Sequence, residues 1–300
     1  MAFSIFAFGT GEHYDKSKVK EDNSQIRTFY DACQGPKLYV DGPQGVRDPQ
    51  SMQSNTDSVI KAIKSWLKFD QSGDIIVNLT GYSRGSVTCL WIANALNDLQ
   101  EIALTKKKDN KELTEEDKKL LKLRINIFAN DPVAGLLDKG ELESKKIPKI
   151  VKEYVATISL DEDRKLFAPQ DLTRVQVEDR EKTNVVFLPV FGRHSIATKS
   201  GDKSELKKYH IFLIIANLRY KFFKAHGTKF KSPPDIATEF QSIPPEFKDF
   251  PNWQLDLKEQ DLLDLYTLAW NNREDYFIAS DKEKNGSFGF PHKRSINNSL

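Results

Sequence analysis

Residues 74–99 read DIIVNLTGYSRGSVTCLWIANALNDL, and the change of rhythm inside this stretch decides the fold. Residues 74–79 are a β-rich run. From residue 86 to 99 the period becomes helical, with Val87, Leu90, Trp91, Ala95 and Leu99 on one face. Between the two runs lies Gly81-Tyr82-Ser83-Arg84-Gly85, which matches the nucleophile elbow Gly-x-Ser-x-Gly. The spacing has a steric cause. A strand that turns abruptly into a helix holds the serine in a strained backbone conformation, and bulky side chains two positions before and after would keep strand and helix apart. The hydroxyl is lifted above the sheet edge, and the helix aims its N-terminal dipole at any negative charge developing there. A plain glycine turn is the bland alternative, and the strand-before, helix-after context argues against it.

A serine hydroxyl is a weak nucleophile until a base takes its proton and a third group orients that base. In the α/β-hydrolase order the acid and then the histidine follow the serine. Asp131 directly follows the strand-like run 123–129, which makes it the candidate acid; a turn cap before Pro132 is the competing reading, with Asp138 and Asp161 in reserve. Of five histidines, chain order excludes His13 as the base. His194 follows the apolar run 183–189 in a loop containing Gly192, and is the candidate base. His210, in an apolar helix, is second. His226 reads as a helix C-terminal cap and His292 lies in a polar tail. Backbone N–H groups of Arg84 and of the Gly9-Thr10-Gly11 loop are the candidate oxyanion donors, here Arg84, Thr10 and Gly11; an ordinary turn is the alternative for that loop.

Outward from these residues, short apolar runs at 4–8, 37–40, 123–129, 151–160 and 183–189 alternate with helical patterns at 24–33, 56–69, 86–99 and 208–223. Repeated strand, loop, helix order predicts an α/β-hydrolase fold, a mostly parallel central sheet flanked by helices. Residues 106–122 are dominated by interleaved charge and read as a solvated helical insertion (about 101–122), with Thr114 and Asp117 able to cap it. Residues 1–230 form the expected catalytic domain. The Pro-punctuated, aromatic segment 231–300 is expected to be an extension or cover, helical at 255–270.

Composition narrows the function classes. The 45 basic and 43 acidic residues nearly cancel, so no basic nucleic-acid footprint is present. No apolar run approaches bilayer length, and the first residues lack the pattern of a signal peptide, which predicts a cytoplasmic protein as synthesised. Two separated cysteines fit a reducing compartment, with Cys89 a small packing residue in a buried helix. Asn78, in a core strand, is a poor glycosylation site. No His/Cys spacing suggests a metal site, and no cofactor is expected.

Four segments together resemble one known family. Phe8-Gly9-Thr10, the elbow with its arginine, Ser159-Leu160-Asp161-Glu162-Asp163-Arg164 with Phe167 beyond, and Gly192-Arg193-His194-Ser195 ahead of an apolar helix are similar to motifs of the DUF2235 group of α/β-hydrolases. That group includes the Tle1-type phospholipase effectors of bacterial type VI secretion. The chain departs from it where Phe8 stands in place of an acid, where Tyr154 to Ser159 lacks a histidine, and where Ile196-Ala197-Thr198 replaces Asp-Val-Gly-Gly. The resemblance spans roughly residues 3–220 and implies a lipid ester substrate and export without a signal peptide; the aromatic segment past residue 230 is consistent with a lid or a peripheral membrane contact. A decayed, scaffolding member, an acyltransferase and a peptidase are the alternative expectations.

Overall fold

In the computed structural model the described residues are 2–14, 24–44, 49–70, 73–135, 142–159, 162, 167, 169–170, 174–190, 193–194 and 206–231. The chain runs β1 (Phe3–Ala7), α1 (Gln25–Ala32), β2 (Lys37–Val40), α2 (Pro49–Phe69), β3 (Ile75–Tyr82), α3 (Arg84–Lys108) and α4 (Glu115–Leu120). It continues through β4 (Leu123–Asn130), β5 (Lys146–Ile147), β6 (Val151–Ser159), β7 (Gln176–Val177), β8 (Asn184–Val190) and α5 (Leu206–Ala225). Six strands form one sheet in the order β2-β1-β3-β4-β6-β8, and β5 pairs separately with β7. Every pairing in the large sheet is parallel.

Parallel strands need long crossovers, and the helices that make them cover both faces. Successive side chains of a strand point to opposite faces, so Ile5 and Phe6 divide the core between them. Ile5 joins Val77, Leu79, Ile125 and Ile127 with Val59 and Ile63 of α2 and Leu90 and Ile92 of α3 in one apolar cluster. Phe6 faces the other way and stacks on Phe223 of α5 with ring centroids 5.5 Å apart. On that second face Gln25 of α1 donates to the Phe212 carbonyl of α5 at 2.6 Å. A polar ladder is also buried there. The Asn78 amide donates to the His226 carbonyl and to Thr228 Oγ1, and Asn126 donates to Asn78 Oδ1, so the amide is fully engaged inside the fold.

The charged stretch is largely helical. Its first part is the end of α3, and its remainder holds α4. Ala103 and Leu120 are buried, and Gln100 reaches the carbonyls of Leu120 and Leu123, which ties both helices to the core. Thr114 and Asp117 form a reciprocal capping box at the start of α4. Residues 232–300, including the helical pattern expected at 255–270 and the proposed cover, lie outside the described residues.

Candidate active site

Because all six strands run the same way, the segments that leave their carboxyl ends collect along one edge of the sheet. The order reverses between β1 and β3, and a crevice outside such a switch point is where parallel α/β folds bind ligands. Phe8 to Gly11 follows β1, Ser83 follows β3 and Asp131 follows β4, while Glu162 and His194 lie beyond the ends of β6 and β8.

Ser83 has φ 55° and ψ −124°, a conformation that side chains rarely adopt. Two glycines allow it. A Cβ on Gly81 would sit 2.3 Å from the Gly85 carbonyl carbon, and one on Gly85 would sit 2.3 Å from the Ala7 carbonyl oxygen. Strand β3, helix α3 and strand β1 therefore touch backbone to backbone at the turn. The neighbouring strand secures it: the Ser83 N–H donates to the Asn130 carbonyl at 3.0 Å, and Ser86 Oγ both accepts from the Asn130 N–H and donates to its carbonyl.

His194 Nε2 lies 2.7 Å from Ser83 Oγ, and His194 Nδ1 lies 2.5 Å from Asp131 Oδ2. A carboxylate only accepts, so the Nδ1 proton points at Asp131 and the Nε2 lone pair faces the serine hydroxyl. All three residues are buried, Asp131 completely. Asp131 itself is held at φ 43°, with its N–H on the Thr157 carbonyl and its Oδ1 accepting from the Ser159 N–H at 2.8 Å. Its backbone is bonded to β6, and its side chain spans from β6 to the imidazole.

The oxyanion candidates divide. Arg84 is the first residue of α3, so its N–H belongs to the helix N-terminal turn beside Ser83. Gly11 is corrected: its N–H donates to the Pro43 carbonyl at 3.0 Å, which takes it out of the set. The reason is local. Residues 9–12 form a tight turn closed by Glu12 N–H on the Gly9 carbonyl, and this turn packs on residues 42–43. Thr10 keeps its place in the loop, and its Oγ1 is buried with no hydrogen-bond partner among the described residues.

The other histidines sit elsewhere. His226 Nε2 pairs with Glu153 at 3.0 Å, and His13 lies against Asp41 and Gln44. His210 falls within α5, while His292, Asp138 and Asp161 lie outside the described residues. Two residues around His194 stand in motifs already quoted from the sequence, though neither carried a role there. The Tyr82 hydroxyl donates to the His194 carbonyl at 3.0 Å, and the His194 N–H donates to Glu162 Oε2 at 3.1 Å. Tyr82 occupies the free position of the elbow motif and Glu162 a loop, where no periodicity marks a role. Among the described residues no cluster of His, Cys, Asp and Glu is arranged to hold a metal ion, and no helix is long and apolar enough to cross a membrane.

The fold defines the chain's class, an α/β protein with a mostly parallel central sheet and flanking helices. Within that class the architecture is Tle1-like. The structure of the Tle1 effector bound to the VgrG spike of the type 6 secretion system superposes with a TM-score of 0.52 at 12% identity, covering 96% of this chain and 83% of that one. An uncharacterized protein from Pseudomonas aeruginosa superposes with a TM-score of 0.50 at 15% identity, over 99% of this chain and 58% of that one, so this chain spans little more than half its length. No protein-family model matches the sequence, and no curated protein matches it either.

Proposed function

We propose that this chain is a serine hydrolase that cleaves carboxylic esters through an acyl-enzyme, with a lipid as its substrate. The observation that carries the reading is the continuous hydrogen-bond line Ser83–His194–Asp131, formed by residues from three strand ends. Ser83 Oγ attacks the acyl carbonyl while His194 Nε2 takes its proton, and Asp131 holds the imidazole and balances its charge. The N–H groups of Arg84 and Thr10, with the unpartnered Thr10 hydroxyl, stabilise the oxyanion. The tetrahedral intermediate collapses as His194 returns the proton to the leaving alkoxide. Water, activated by the same imidazole, then hydrolyses the acyl-serine.

The lipid preference rests on the motif resemblance to Tle1-type phospholipases together with the Tle1-like fold. The same likeness supports an exported effector that binds a secretion spike, as the Tle1 effector is bound to VgrG. The intact hydrogen-bond line favours catalysis over a decayed scaffold. Phospholipid vesicles and short-chain p-nitrophenyl esters, given to the protein and to Ser83→Ala, test the proposal. Release of fatty acid and p-nitrophenol by the wild type alone is expected. Equal rates from both proteins overturn the esterase reading, and cleavage of the simple ester without vesicle hydrolysis overturns the lipid assignment.

A further inference from the structure

We infer that Tyr82 and Glu162 are positioning residues that clamp the backbone of His194 and so fix the imidazole between Ser83 and Asp131. The inference rests on the serine-hydrolase reading above and adds the device that sets its geometry. His194 lies beyond the end of β8, past Val190, so no sheet ladder orients it. Its own peptide groups are instead bonded to side chains. The N–H donates to Glu162 Oε2, from the segment after β6, and the carbonyl accepts from the Tyr82 hydroxyl at the end of β3. The Tyr82 ring also stacks on the imidazole with centroids 4.7 Å apart and planes 24° apart, and Phe167 tilts against it at 5.2 Å.

The arrangement joins base to nucleophile by a short route. Tyr82 is covalently next to Ser83, so the tyrosine that grips the histidine also carries the serine. Glu162 is fully buried, where a carboxyl group is costly unless hydrogen-bonded, and its bond to His194 meets part of that need. A hydrogen bond at the Ser83–His194 distance tolerates little drift, and a misplacement of about 1 Å costs on the order of a hundredfold in rate.

Tyr82→Phe keeps the stacked ring and removes the hydroxyl. Glu162→Leu removes the acceptor, whereas Glu162→Gln retains a carbonyl oxygen that can accept the His194 N–H. For Tyr82→Phe and Glu162→Leu we expect kcat for a p-nitrophenyl ester to fall at least about tenfold with KM little changed, and Glu162→Gln to recover most of the loss. The His194 Nδ1–H proton signal, followed by NMR, is expected to broaden in Tyr82→Phe as the ring gains freedom. Wild-type kcat in Tyr82→Phe, or a loss confined to KM, overturns the clamp even where Glu162→Leu does not fold. If the wild type shows no Ser83-dependent turnover, the hydrolase reading fails by itself; the NMR signal then still decides the clamp, and an unchanged signal in Tyr82→Phe overturns it.

Discussion

At the scale of single residues, each member of the site is held by backbone, not only by its site partners. Ser83 is pinned through its N–H to Asn130, Asp131 through its N–H and Oδ1 to β6, and His194 through both peptide atoms to Tyr82 and Glu162. Such over-determination is what lets strained conformations at Ser83 and Asp131 persist. Thr10 is the exception. A buried hydroxyl without a partner is a loss of about 1–3 kcal/mol relative to one that is satisfied, and it invites a partner that arrives with the reaction. Thr10→Val keeps the shape and deletes the hydroxyl, so kcat on esters is expected to drop by about a hundredfold or more, with Thr10→Ser close to wild type. Steady-state kinetics on both variants measures this, and a wild-type kcat for the valine form removes the hydroxyl from the oxyanion set.

Elements differ in how far the sequence discloses them. The strand-to-helix switch at Ser83 was legible because its period changes within a few residues and two glycines flank the serine. Asp131 and His194 were legible as candidates because each follows an apolar run of strand length. Element ends were less so. Helix α2 begins at Pro49, well before the residue-56 start that its apolar stripe suggests, because the first turns bury only Met52 and Thr56 among polar neighbours. Helix α3 runs on to Lys108 through a stretch whose charge reads as separate. Lysines in its last turn suit the negative end of the helix dipole, and Ala103 and Gln100 keep the inner face attached. The roles of Tyr82, Glu162 and the Gly11–Pro43 bond were not legible. They depend on backbone atoms of residues distant in sequence, and no periodicity encodes such contacts.

Across the whole molecule, the two faces of the sheet are built by different means. The α2–α3 face is an apolar cluster, whereas the α1–α5 face buries polar groups, among them Arg219. Its guanidinium lies 5.4 Å from the ring centres of both Phe29 and Phe128, and Nη1 donates to Gln25 Oε1 at 2.7 Å. Its Nε and Nη2 are buried without partners among the described residues. Burial pushes this group well below its ordinary value, to about 9. A cation whose folded value is depressed destabilises the fold fully below about pH 9, and the penalty fades as pH rises from there toward the unfolded value. Cation–π contacts of about 2 kcal/mol when desolvated offset part of it. Arg219→Met is therefore expected to raise stability at pH 7 by on the order of 1 kcal/mol, seen as a higher Tm, with the gain shrinking above about pH 9. Thermal unfolding across pH measures it, and a lowered Tm at pH 7 contradicts the assignment of a net cost.

Covalent capture by a fluorophosphonate probe, with the modified residue mapped by mass spectrometry, asks most directly whether the hydroxyl at the β3–α3 turn is an activated nucleophile. We expect one adduct on Ser83 in the folded wild type and none in Ser83→Ala. No adduct, or an adduct that survives in Ser83→Ala, contradicts the account.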